Sequence, residues 1–218
     1  SEMCIRDRNS WKRQVNSRIR HAWHIKLIDI CHSSSSLKFL DTTKIEWGKA
    51  HFIWPVKGDS RLRTAAAYRA KLLTGTYILQ HNTAKFNPRE SSPICSLCHQ
   101  ENADIPHFLL RCPSTNDARI PYLTRLNEYG VLLNLEDHHS ATRMILNLGP
   151  SPTTRCDINQ HREVKMMHAP CICMKMSSTV NSMVLKLHNK RSNLLGLQKN
   201  KTKAKKRGTR IKNKQTAL

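Results

Sequence analysis

From Ser10 onward, apolar side chains return every three or four positions, at Trp11, Val15, Ile19, Ala22 with Trp23, Leu27 and Ile30. That period matches a helix with one apolar stripe, and Ser10 has the short polar side chain favoured at an N-cap. The hydroxyls of Ser33 to Ser36 compete with helical hydrogen bonds and predict its end. Across "LKFLDTTKIEWGKAHFIWP" the period is lost, which reads as a short connecting segment packed against its neighbours. It returns in "DSRLRTAAAYRAKLLTG", the clearest helix of the chain: Asp59 or Ser60 can cap it, alanines fill it, and Gly75 stands where a C-terminal cap belongs. Leu62, Ala65, Ala66, Arg69, Leu72 and Leu73 form its stripe, while Arg61, Arg63 and Lys71 lie on the other face.

Further helices are predicted from Ser114 to Tyr129, with Pro121 as an irregularity, and from Asp137 to Leu148, ended by "GPSP". Residues 159 to 195 read as helical in parts, with Met166, Met167, Val180, Met183, Val184 and Leu187 as core candidates. From Lys199, "KNKTKAKKRGTRIKNKQ" has almost no apolar residue and cannot offset the entropy of ordering, so a disordered basic tail is expected over 199–218. The expected fold is mainly α: small helical lobes around a stapled module, followed by that tail. The organisation reads as a helical region over 9–90, a Cys/His module with its following helices over 91–150, and an irregular or helical region over 151–198. Residues 1–8, "SEMCIRDR", lack an initiator Met and resemble translated adapter read-through; they are set aside as non-native, with Cys4, and a truncated N-terminus is expected.

Charge adds the next constraint. The chain carries 37 Lys and Arg against 15 Asp and Glu, a formal net charge of +22, more than solubility requires and favourable to a polyanionic partner. The excess is uneven: residues 1–163 hold 23 basic and 15 acidic groups, whereas residues 164–218 hold 14 basic groups and no acidic one. Lys203, Lys205, Lys206, Arg207 and Arg210 of the tail, with Arg61, Arg63 and Lys71 of the alanine-rich helix, are the candidate phosphate contacts. "KAKKR" also has the composition of a nuclear-import signal. No apolar run approaches the ~20 residues of a membrane span. An intracellular location, with no membrane partner, is expected.

The sharpest local signal is "CSLCHQENADIPHFLLRC", which reads C-x2-C-x8-H-x4-C through Cys95, Cys98, His107 and Cys112. Two thiolates in one tight turn can grip an ion, and "HFLLRC" can present an imidazole and a third thiolate to them from a helical turn or two. Three sulfurs, one nitrogen and no carboxylate suit tetrahedral zinc, and four protein ligands leave no open coordination position. One structural Zn2+ is therefore expected, acting as the staple that so small a lobe needs. His99, next to Cys98, would strain the chelate and is assigned to solvent or a phosphate. A second group, Cys156, His161, His168, Cys171 and Cys173, has no knuckle spacing and reads as core cysteines with exposed histidines. Glu136 and Asp137 before "HH" read as surface. Phe108 and Tyr77 are expected to be buried, although either would stack on a base if exposed.

With this spacing, "KLLTGTYILQHNTAKFNP" before it and "HFLLRCP" within it, the sequence resembles the C-terminal region of non-LTR (LINE-type) retrotransposon reverse transcriptases, over about residues 10 to 150. The resemblance implies a zinc-binding C-C-H-C module that follows a polymerase, with Cys95, Cys98, His107 and Cys112 as its ligands. It implies a role in gripping template RNA or target DNA, with the missing polymerase region as a further partner. No paired aspartate of a polymerase and no PD-type nuclease motif is present, nor any Gly-rich phosphate loop, H-E-x-x-H or G-x-S-x-G. The expected function is a non-catalytic nucleic-acid-binding module. A zinc-stabilised protein-interaction module and an inert truncated relic are the alternatives.

Overall fold

A computed structural model describes residues 5–48, 51–54, 60–150 and 172–215, with side chains from Asp7 to Gly196 within those ranges. Six α-helices are present there: α1 (Ile5–Ser33), α2 (Ser60–Leu73), α3 (Gln80–Phe86), α4 (Asn116–Glu128), α5 (His138–Leu146) and α6 (Ile172–Gln215). Short 3-10 turns at Thr42–Lys44 and Pro113–Thr115 and a π-turn at His107–Arg111 join them. The chain is mainly helical. Among the described residues the sole extended pairing is an isolated antiparallel bridge between Ile94 and Asn102.

Helices α2 and α4 pack on α6. Their apolar faces meet the loop residues Phe39, Ile53, Tyr77, Leu79 and Val131 in one cluster, which also takes Ile105, Phe108 and Leu109 from beside the Cys/His segment. Val180, Met183, Val184 and Leu187, the expected core residues of the late segment, are fully buried in it. Met166 and Met167 lie outside the described residues. Segments from 9–90, 91–150 and the end of the chain thus contribute to a shared core. A small satellite of Cys95, Ala103 and Cys112, with Leu97 and Cys98 against it, sits apart from it.

The ends of α2 and α4 follow from their glycines. Gly75 has φ +65, Thr76 N–H donates to the Lys71 carbonyl (2.9 Å) and Gly75 N–H to that of Leu72 (3.3 Å), which is the paired closure of a Schellman cap. Gly130, at φ +80, closes α4 in the same way on Leu126 and Asn127. Helix α4 passes through Pro121 and forgoes the bond that its nitrogen would have made. Asp137 caps α5, accepting from the backbone N–H groups of His139 and Ser140.

Arg69 occupies a stripe position of α2 and is wholly buried. Its guanidinium donates to the carbonyls of Leu146 (2.9 Å) and Leu148 (2.6 Å) at the end of α5, and to Ser177 Oγ (3.0 Å) and Asn181 Oδ1 (3.2 Å) on α6. The Phe52 ring lies 5.3 Å from its Cζ. One cation therefore satisfies the open carbonyls at a helix C-terminus, where the macrodipole also favours positive charge, and ties three helices together. Burial lowers its pKa to about 9, which leaves it protonated at neutral pH.

One element differs from the sequence pattern. Helix α1 begins at Ile5, so Ser10 lies inside it and is not its cap; Asp7 in the first turn complements the helix dipole. Its apolar stripe is largely uncovered, with Trp11 58% and Ile19 49% exposed, and the helix packs chiefly near its end, where Trp23 meets Trp47 edge-on at 5.1 Å. The main chain of α6 runs to Gln215, and the side chains of its basic end, beyond Gly196, lie outside those described.

Candidate metal centre

The segment between α3 and α4 folds around its own sulfurs. Cys95 N–H donates to the Glu101 carbonyl (2.8 Å), His99 N–H to the Cys95 carbonyl (2.8 Å), and Ala103 N–H to the Pro93 carbonyl (2.8 Å). These bonds close a tight knuckle in which His99 takes a left-handed φ of 57. The turn brings Cys98 back beside Cys95. His99 itself is exposed and stands outside the cluster, as the strain argument expects.

The second pair is set by an unusual turn. Five residues along an ordinary α-helix are about 140° out of register, which would point His107 and Cys112 apart. Here Cys112 N–H donates to the His107 carbonyl (2.8 Å), an i to i+5 closure over the π-turn His107–Arg111. The wider turn brings imidazole and thiol to one side, a use of π geometry that recurs at functional sites. Asp104 starts the turn by accepting the His107 N–H at Oδ1 (2.8 Å).

The four ligand atoms lie within 4.8 Å of one another, and three of the four residues are buried. Cys95 Sγ is 4.0 Å from Cys112 Sγ, and Cys98 Sγ is 3.3 Å from His107 Nε2. Two sulfurs on a tetrahedral ion with metal–sulfur bonds of ~2.3 Å stand roughly 3.8 Å apart, so the spacing fits a shared ion. A disulfide would need a sulfur separation of about 2.05 Å, and its geometry is not met. The cluster can hold a metal ion.

Electrostatics point the same way. Burial pushes the Cys112 thiol up to about 11, helped by the neighbouring Cys95. At Cys98, burial acts upward, but hydrogen bonds from the backbone of Gln100 and Glu101 and from the other thiols outweigh it and leave the pKa lowered. Burial lowers His107, against the opposing pull of Glu101. Neutral imidazole is the ligand form, and a cation makes several buried sulfurs tolerable as thiolates.

Glu101 is the functional side chain that spacing alone does not reveal. Its Oε2 lies 3.3 Å from His107 Nδ1 and 3.1 Å from Arg111 Nη1. Holding the proton on Nδ1 leaves Nε2 free to ligate, the usual carboxylate support of a metal-bound histidine. The signal for it was an acid six residues before the ligand histidine. Arg119, also buried, donates Nη2 to the Cys112 carbonyl. Gln80 Oε1 accepts Ser96 N–H (2.7 Å) and ties α3 to the knuckle, while Ser114 Oγ donates to the Leu97 carbonyl (3.1 Å) and ties on the start of α4.

The other expected site residues are spread out. Arg61, Arg63 and Lys71 are exposed on α2, with Lys71 Nζ 5.6 Å from the Tyr68 ring centroid. The side chains of Lys203, Lys205, Lys206, Arg207 and Arg210 lie outside those described. Cys156, His161, His168 and Cys171 also fall outside the described residues, and Cys173 is half-buried at the start of α6. Tyr77 and Phe108 are buried, their rings 5.1 Å apart, and offer no face to a base. Among the described residues no helix is long and apolar enough to cross a membrane. Compared with protein-family models, curated proteins and solved structures, the chain matches none.

Proposed function

We propose that this chain is a non-catalytic nucleic-acid-binding module built on one structural zinc ion, of the kind that follows the polymerase in non-LTR retrotransposon reverse transcriptases. The convergence of Cys95, Cys98, His107 and Cys112 within a chain of net charge +22 carries this reading. Zinc is the metal favoured by three thiolates and one imidazole in a closed tetrahedral set, where it supplies folding free energy and no reactive position. His107 is oriented by Glu101, the Cys95–Cys98 and His107–Cys112 pairs are held by the knuckle and the π-turn, and α3 and α4 are anchored to that staple.

The cationic side chains then do the binding. Arg61, Arg63 and Lys71 line the exposed face of α2, and the basic end of the chain adds cations without any acidic residue. Such contacts act mainly on phosphates, with affinity that depends on salt and carries little sequence information. Between 50 and 200 mM salt, RNA affinity is expected to fall by about 10³-fold or more if six or more phosphates are engaged. An affinity unchanged across that range, measured by fluorescence anisotropy, overturns the reading.

The exposed stripe of α1 favours a second reading, in which the module docks on another protein region such as the polymerase expected upstream. Deleting residues 199–218 separates the two. RNA binding that persists in the shortened chain supports nucleic-acid recognition by the folded part; binding lost entirely assigns it to the terminal segment and favours docking.

A further inference from the structure

A groove of about 550 Å³ opens beside the metal cluster, between the Ser35–Phe39 loop, the Gly75–Ile78 turn, α3 and the Asp104–Ile105 strand of chain that leads into the π-turn. Its rim carries two large apolar side chains that the fold does not cover, Ile78 at 77% and Phe86 at 86% exposure. Lys38, His81 and Lys85 line the same groove. Neither lysine joins an ion pair among the described residues. The one acid in the lining, Asp104, is already engaged by the His107 N–H and by Arg111.

An exposed aromatic beside cations that join no ion pair is the arrangement that holds a single strand, with bases stacked on the ring and phosphates against the ammonium groups; Lys85 is open, and Lys38 Nζ lies 4.9 Å from the Phe39 ring centroid. A duplex keeps its base faces within its own stack and offers nothing to Phe86 but a charged backbone. The volume is in the range of pockets that enclose a small organic group, enough for an unstacked nucleotide. An acidic peptide would meet the lysines but has no flat ring face to bring to Phe86.

We infer that this groove binds single-stranded nucleic acid, with Phe86 as the base-stacking platform and Lys38 and Lys85 as phosphate contacts. The inference rests on the nucleic-acid reading above and names the strand state and the place. It also gives the metal a purpose at a distance: the Gln80–Ser96 hydrogen bond tethers α3, the wall that carries Lys85 and Phe86, to the Cys95–Cys98 turn.

The test uses the full zinc-loaded chain with a fluorescent 12-nucleotide RNA, presented as a single strand and as a blunt duplex at equal salt. Phe86→Ala is expected to weaken single-strand binding by about 5- to 100-fold and to leave duplex binding unchanged. Lys38→Gln with Lys85→Gln is expected to lower the single-strand salt slope by about 1.4, the value for two phosphates. Because Phe86 and both lysines project from the surface, circular dichroism and zinc content of the variants should match the parent chain. Wild-type binding to the single strand that Phe86→Ala leaves intact overturns the groove while sparing the broader reading. Equal losses for strand and duplex also overturn it, since stacking is then not involved. No binding of either RNA by the wild type overturns both.

Discussion

Glu101 and Arg69 show how much single side chains decide. Glu101 touches no metal, yet its carboxylate holds His107 through Nδ1. Glu101→Ala is expected to lower metal affinity by about 10- to 100-fold with all four ligands in place, read by competition with a chromogenic chelator; unchanged affinity would assign Glu101 to its ion pair with Arg111 alone. Arg69 acts on the fold. Arg69→Met strips the carbonyls of Leu146 and Leu148 and the side chains of Ser177 and Asn181 of their donor, and about 3 kcal/mol or more of stability should go with it. Urea denaturation measures that loss, and a change below 1 kcal/mol would contradict the clamp. The convergence of Cys95, Cys98, His107 and Cys112 was legible from spacing because thiols and imidazoles at knuckle intervals have few other uses. Arg69 was legible as a stripe position but not as a buried cation, since its acceptors come from residues 76 to 112 positions away.

At the scale of elements, local signals carried furthest where local physics decides. The alanine-rich run, its glycine cap, the helix that follows Asp137 and the buried face of α6 all follow from periodicity and capping chemistry. The π-turn does not, because its closure depends on both ends being drawn to one point. Helix α1 shows the converse: its stripe is a real helical period with little of the described chain against it. Gly75 tests how tightly the elements are joined. A Cβ there would stand 2.7 Å from the Ser36 carbonyl oxygen, in a backbone conformation that L residues disfavour. Gly75→Ala is expected to cost about 1–3 kcal/mol and to lower the melting temperature, whereas Gly130→Ala meets no neighbour and should cost less.

For the whole molecule, four histidines share one electrostatic direction. Burial lowers His51 to about 4, with the charges of Arg69 and Lys44 adding to it, and burial likewise lowers His107, His139 and His188. Each binds its proton more readily in the unfolded chain, so the folded state is favoured above the ordinary histidine pKa of about 6.5 and loses that advantage as pH falls. For His51 the loss spans roughly pH 6.5 down to its folded value of about 4. Urea midpoints should therefore fall between pH 7 and pH 4 in the metal-free chain, and faster in the metal-loaded chain, where protons also compete for the ligands. Midpoints flat across that interval would contradict the lowered pKa values of these rings. Among the described residues the apolar cluster takes side chains from Phe39 to Leu187, with a small thiol satellite beside it, so segments far apart in the chain complete the same core. Pairings of that separation leave no trace in a local pattern.

The proposed function depends on the ion. The most direct measurement is the metal content of the purified chain by native mass spectrometry, for the wild type and for Cys112→Ser. One zinc per chain, absent from the variant, is the predicted result. A well-folded wild type without metal, or a variant that keeps its zinc, would contradict the C-C-H-C centre on which the proposed function stands.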